Sequence, residues 1–150
     1  MIYIYTDGSS RGNPGKGGYG AVLVSGKHRK ELWQGYRNTT NNRMELLAVI
    51  VALETIKVSQ AEVIVTSDSK YVVDSVEKKW LQGWIKKDFK GIKNPDLWKR
   101  FLAVYAHHHV KFKWIKGHNN HPENERCDFL ATQAADGGNL LVDTFYEQQD

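Results

Sequence analysis

The stretch "DGSSRGNPGKGGYGAVLV", residues 7–24, decides between two folds. Within it, Gly15-Lys16-Gly17-Gly18-Tyr19-Gly20 matches the dinucleotide-binding string G-x-G-x-x-G letter for letter. A cofactor cradle of that kind needs a helix to open directly after the glycines, because the helix N-terminus holds the pyrophosphate. Here Ala21-Val22-Leu23-Val24 follows, an apolar, valine-rich run that reads as a strand. The phosphate-loop string fails too, since Gly15-Lys16 is followed by Gly17 and not by Ser or Thr. The segment therefore reads as a Gly/Pro/Asn-rich hairpin joining two strands. That leaves Asp7, at its start, without an explanation.

Working outward, Ile2 to Thr6 is rich in β-branched and aromatic residues and predicts a strand. Strands at about 19–25 and 31–37 would complete an antiparallel meander. From Arg43 to Lys57 the apolar residues form two stripes: Met44, Leu47, Ala48, Val51 and Ala52 in one, Leu46, Val49, Ile50, Leu53 and Ile56 in the other. A helix apolar over most of its circumference is expected to be largely buried. Glu62-Val63-Ile64-Val65-Thr66 reads as a buried strand. Helices are expected at about 69–77, 80–87 and 96–106. "VKFKWIK", residues 110–116, alternates as a strand should. Pro122, followed by Glu123 and Glu125, opens a last helix that Gly137-Gly138 would end. The order β-β-β-α-β-α-α-α-β-α predicts an α/β domain with a mixed five-stranded sheet and helices on its faces. Residues 137–150 are expected to form a loosely ordered tail.

Composition sets the class. A chain of 150 residues, with 25% charged and 41% hydrophobic residues, is that of an ordinary single globular domain. The one cysteine, Cys127, excludes an internal disulfide and fits a reducing compartment. No apolar stretch reaches membrane-spanning length, and the strand pattern begins at the first residues with no basic leader. A cytoplasmic, membrane-free protein is expected. Asn38-Thr39-Thr40 matches a glycosylation string, which carries no weight without a secretory signal.

The net charge of +4 is unevenly placed. Lys78 to Arg100 holds eight basic residues against two acids, Asp88 and Asp96, so it is more positive than the chain as a whole. Trp80, Trp84, Phe89 and Trp98 are interleaved with the bases. Such a segment suggests a groove for a polyanion, though a solvated helix pair with inward tryptophans would read the same way.

Four acids fall at notable places. Asp7 lies just past the first predicted strand and Asp68 just past "EVIVT", and strand carboxyl ends are where open α/β sheets bind ligands. Glu45 sits in the first turn of the apolar helix, and Asp128 inside the last one. Each has a structural reading alone: Asp7-Gly8 as a turn, Asp68 as a helix cap, Glu45 in a capping box with Asn42, Asp128 as a helical surface acid. If they meet, their charges raise one another's pKa and destabilise the fold unless a cation neutralises them. Hard oxygen ligands without cysteine favour Mg²⁺, with Mn²⁺ as a substitute, over Zn²⁺. Two such ions about 4 Å apart can activate water and stabilise the leaving oxygen in phosphodiester cleavage.

These residues also carry a resemblance. "YTDGSSRGNPGKGGYGAVL", "TTNNRMELLAVIVALE", "TSDSKYV", "NPDLWKR" and "KGHNNHPENERCDFLA" occur in the order found in bacterial type 1 ribonucleases H, over roughly residues 1 to 136. The resemblance implies the ribonuclease H fold. It also implies Mg²⁺-dependent hydrolysis of the RNA strand of an RNA–DNA hybrid, leaving 3′-hydroxyl and 5′-phosphate ends. By motif, Asp7, Glu45, Asp68 and Asp128 would be the metal-binding carboxylates, and His118 would assist proton transfer or product release. Gly8, Asn13, Asn41 and Asn42 would face the minor groove, sugars or RNA backbone, with Thr40 near a DNA phosphate. Trp80, Trp84, Lys86, Lys87 and Lys90 would belong to a basic substrate-binding protrusion, here shorter than in familiar members. Lys70 stands where a neutral polar residue is expected, either to contact phosphate or to weaken metal binding. His107-His108-His109 matches nothing and reads as surface. No obligate protein partner is implied, and a monomer is expected. Two alternatives stay open: a nuclease of this fold acting on DNA, and a hybrid-binding module without catalysis.

Overall fold

The computed structural model describes residues 1–117 and 120–149. Three long strands open the chain: β1 (Ile2–Arg11), β2 (Gly15–Ser25) and β3 (His28–Thr39). Then come α1 (Asn41–Thr55), β4 (Glu62–Ser67), α2 (Lys70–Glu77), α3 (Trp80–Lys86), α4 (Pro95–Tyr105), β5 (His109–Trp114) and α5 (Pro122–Asp136). A short β6 (Leu140–Leu141) and α6 (Thr144–Glu147) finish it. The sheet runs β5-β4-β1-β2-β3-β6. The β1–β2 and β2–β3 pairs are antiparallel, while β1–β4, β4–β5 and β3–β6 are parallel.

The G-x-G-x-x-G string lies inside β2 and no helix follows it, as the valine-rich run predicted. Its glycines make room for a helix lying across the strands. A Cβ at Gly18 or Gly20 would collide with the α5 backbone at Ala131 and Cys127, and one at Gly35 with Ala134. Helix α5 thus rests on bare backbone on one face, over a small cluster of Val22, Cys127 and Leu130. The opposite face carries α1 and the main core, in which Ile4, Ala21, Met44, Leu46, Ile50, Val65, Trp98 and Phe101 are buried. Helix α1 is buried from Arg43 to Ile50, in keeping with its apolar circumference.

Two expectations need correction. The sheet has six strands, not five, because Leu140 and Leu141 pair with Gly35 and Tyr36 of β3. The tail is also tied down. Asp143 is buried and accepts hydrogen bonds from Thr39 Oγ1 at 2.7 Å and from Arg43 Nε at 2.8 Å and Nη2 at 2.9 Å. Arg43 also donates to Asp96, at 2.9 and 2.7 Å, so one guanidinium joins α1, α4 and the tail. Arg43 lies in a buried, mostly apolar stretch of α1, where a cation needs an anionic partner.

Candidate active site

Asp7 does not lie past the end of β1 as expected; the strand continues to Arg11, and Asp7 pairs with Gly20 of β2. On its other side β1 pairs with β4 only from Ile2 to Tyr5. The two parallel strands part there, and Asp7 faces the resulting notch. Asp68 follows the last residue of β4 and enters the same notch. Neither it nor Glu45 is a cap: Ser69 caps α2 through Val72 N–H, and Thr40 caps α1 through Arg43 N–H. Freed from capping, Glu45 points from the first turns of α1 toward β1.

One oxygen from each of Asp7, Glu45 and Asp68 lies within 4.8 Å of the others, the only such three-residue group among the described residues. The Gly8 N–H donates to Asp7 Oδ1 at 2.9 Å and to Glu45 Oε1 at 2.8 Å. That geometry depends on Gly8 having no side chain, since a Cβ would collide with the backbone of Met44 and Glu45. Gly8→Ala is therefore expected to push α1 off β1 and destabilise the fold by about 1–3 kcal/mol. Divalent-ion binding should weaken with it. Urea melts and metal titration check this, and unchanged values in both would refute the close approach.

Asp128 is not within that triad. It lines the same open cleft of about 460 Å³, with Asn41, Asn42, Ser69, Lys70 and Tyr71. Burial is the largest cause pushing the Asp7 carboxyl up to about 7; the charges of Asp68 and Asp128 add to it, against hydrogen bonds from Glu45 and Gly8. Glu45 is raised for the same reasons, burial first and then Asp7. Without a cation, burial and mutual repulsion therefore favour the protonated form of both carboxyls more than is usual for Asp and Glu. Glu45 Oε2 is buried without a hydrogen-bond partner among the described residues. A buried acceptor left open beside two more carboxylates is a donor set that fits a hard divalent cation.

The expected substrate-contact residues fall in three places. Asn13 Oδ1 accepts from Asn41 N–H at 3.1 Å, joining the β1–β2 turn to the start of α1. Asn13, Thr40 and Asn42 line a second cleft of about 540 Å³, together with Lys93, Asn94 and the tail residues Phe145 and Tyr146. Asn42 belongs to both clefts, so they adjoin. In the basic segment, Lys86, Lys87 and Lys90 are exposed, as is Trp80. The other aromatics are not free surface. Trp98 and Phe89 are buried, and Trp84 is half-buried edge-on to Trp98 with ring centroids 5.5 Å apart. Lys70 is exposed, with Nζ 4.9 Å from the Trp114 ring. Gly117 lies against Asp68, where a Cβ would sit 2.9 Å from Oδ2. His118 lies outside the described residues.

Sequence reasoning missed Trp114. Its indole N–H donates to the Asp68 carbonyl at 3.1 Å. Only the alternation of "VKFKWIK" hinted at it, and alternation does not say what the outward face touches.

A family model described as RNase H matches residues 1–136. Proteins called Ribonuclease H are similar over nearly the whole chain. That of Desulforamulus reducens is 53% identical, over 95% of this chain and 92% of its own length. That of Aeromonas hydrophila is 52% identical, over 97% of both. Among solved structures, LC9-RNase H1, a type 1 RNase H with the type 2 active-site motif, superposes with a TM-score of 0.83 at 33% identity. The match covers 98% of this chain and 79% of that one. LC11-RNase H1, solved in complex with RNA/DNA hybrid, gives a TM-score of 0.68 at 30% identity over 91% and 97% of the two chains.

Proposed function

This chain belongs to the ribonuclease H family, and from that premise we propose that it is an endonuclease hydrolysing the RNA strand of RNA–DNA hybrids. The products carry 5′-phosphate and 3′-hydroxyl ends, and the enzyme works as a cytoplasmic monomer. The observation that carries this reading is the carboxylate triad, two members buried and one half-buried, at a notch in the sheet, in a chain related throughout to ribonucleases H. Asp7, Glu45, Asp68 and Asp128 would hold Mg²⁺ here, and Mn²⁺ could replace it. When bound, such ions activate the attacking water and offset charge on the leaving oxygen.

The protein's own groups do the remainder. Gly8 N–H orients the Asp7 and Glu45 oxygens toward one volume. Asn13, Asn41 and Asn42 read the sugar edge of the wide minor groove, where only the RNA strand presents 2′-hydroxyls. Thr40 faces a phosphate of the deoxy strand, and Lys70 one beside the scissile bond. His118 assists proton transfer or product release. Trp80, Trp84, Lys86, Lys87 and Lys90 hold the duplex. A hybrid labelled on either strand, incubated with and without Mg²⁺, tests substrate, strand choice and metal together. Cleavage confined to RNA and lost in EDTA is expected. Cleavage of duplex DNA, or binding without a cut, would overturn the reading.

Replacing Lys86, Lys87 and Lys90 together with Ala is expected to weaken hybrid binding. The slope of log affinity against log salt should become shallower by roughly one for each phosphate that is no longer neutralised. Binding in Ca²⁺ across a salt series checks this; an unchanged slope would remove these lysines from the docking surface.

A further inference from the structure

Asp68 is the least enclosed of the three clustered carboxylates, being half-buried where Asp7 and Glu45 are buried. It also follows a strand end, so its backbone is not fixed by the β1–β4 ladder, which stops at Thr66. The end of β5 and the residue after it lie alongside this strand end. Ser67 pairs with Trp114, and Ile115 N–H donates to Ser67 O at 3.0 Å. The Trp114 indole N–H then reaches past the pair to the Asp68 carbonyl at 3.1 Å. The same indole ring carries the Lys70 ammonium over it, 4.9 Å from its centroid. Trp114 is 43% exposed, so core packing does not explain its presence there.

We propose that Trp114 is a positioning residue for metal binding: it fixes Asp68 through its main-chain carbonyl and keeps the Lys70 ammonium off the carboxylates. The second task arises from this chain's own residues. Lys70 lines the same cleft as Asp7, Glu45 and Asp68. Its four-carbon stem is flexible, and an ammonium that turned into the cleft would compete with a divalent ion for the same oxygens. The face of the indole offers it another place. An exposed cation–π contact of about 0.5–1 kcal/mol corresponds to a preference of roughly two- to five-fold. That is enough to hold the charge at the rim, and weak enough for a substrate phosphate to draw it away.

The two tasks separate by mutation. Trp114→Phe keeps a ring under Lys70 and removes the N–H, so Asp68 alone is affected. Trp114→Leu removes both. Lys70→Gln removes the competitor. Mg²⁺ binding to each free protein, followed by calorimetry, is expected to weaken roughly three-fold in Trp114→Phe, in line with the loss of one hydrogen bond. It should weaken further in Trp114→Leu and recover part of that second loss in Trp114→Leu/Lys70→Gln. A non-additive recovery is something that a purely structural role for Trp114 does not produce. Melting temperatures establish that the compared proteins are folded, and Trp114→Phe serves if Trp114→Leu is not. Unchanged Mg²⁺ affinity in Trp114→Phe overturns the positioning role; strictly additive effects overturn the parking of Lys70. The inference rests on the metal-dependent nuclease reading, and the two fail separately. If the parent binds Mg²⁺ with the expected pattern but cuts no hybrid, the reading fails; if it cuts RNA while the series stays flat, the inference fails.

Discussion

Asp7→Asn is expected to leave the domain folded and reduce hybrid cleavage by at least about 10³-fold. The carboxylate is buried in the notch, shares its Gly8 donor with Glu45, and meets the charges of Asp68 and Asp128. Asp7 would be one of the carboxylates holding the divalent ion; losing it would remove several kcal/mol of charge stabilisation, and each 1.36 kcal/mol is a factor of ten in rate. Strand-labelled hybrid turnover checks this, and near-normal turnover would take Asp7 out of the mechanism.

The same substitution has a stability signature of opposite sign. Folding raises the Asp7 pKa from 3.8 to about 7. Between those values the folded state holds more protons than the unfolded one, so stability falls as pH rises and levels off above about 7. At 1.36 kcal/mol per pKa unit, the Asp7 shift alone corresponds to a penalty on the order of 4 kcal/mol at neutral pH. In EDTA, Asp7→Asn should therefore match the parent near pH 4 and exceed it increasingly up to pH 7. Divalent ion should stabilise the parent more than the variant, because the folded parent offers it one more carboxylate. Urea melts at pH 4, 5.5 and 7.5 decide it; a constant difference across that range would mean the carboxyls are not crowded.

Arg43→Ala is expected to cost about 3–5 kcal/mol, the range for breaking a buried ion pair by removing one partner. Arg43 is 2% exposed and bonds to both Asp96 and Asp143 at 2.7–2.9 Å. Its removal leaves Asp143 buried with Thr39 as its remaining partner. The tail should loosen first, with α6 becoming protease-sensitive before the sheet melts. Arg43→Met combined with Asp143→Asn should recover much of the loss, since the uncompensated charge goes with its partner. A cost below 1 kcal/mol for Arg43→Ala would show that the tail is held by other contacts.

How much of this was legible varied by kind of signal. Element types and order were readable, because alternation in "VKFKWIK" and the apolar circumference of α1 are local facts about which faces are buried. Strand ends were not: β1 reads as finished at Thr6, yet pairing with β2 carries it through a polar, glycine-rich stretch to Arg11. The tail read as loose because "NLLVDTFYEQQD" has no periodicity. A parallel β-bridge, one buried aspartate and the Arg37–Glu147 ion pair, 2.8 Å apart, hold it nonetheless. The basic segment was half legible: its lysines face solvent, but an aromatic between bases reads the same whether it faces a ligand or the core. Phe89 and Trp98 face the core.

By itself, the sequence determined that a valine-rich strand follows the glycines, and so that this is a hairpin-led mixed sheet with no dinucleotide cradle. It also supplied the candidate acids, each beside a local cue. Only the tertiary structure decided that three of those acids meet, that Asp128 stands at the rim, and that Trp114 reaches Asp68. The reason is separation along the chain. Gly8 and Glu45 are 37 residues apart, Asp68 and Trp114 46, and Arg43 and Asp143 100. Local propensity and periodicity act over a turn or a strand, whereas contacts at that distance exist only once the sheet has been assembled.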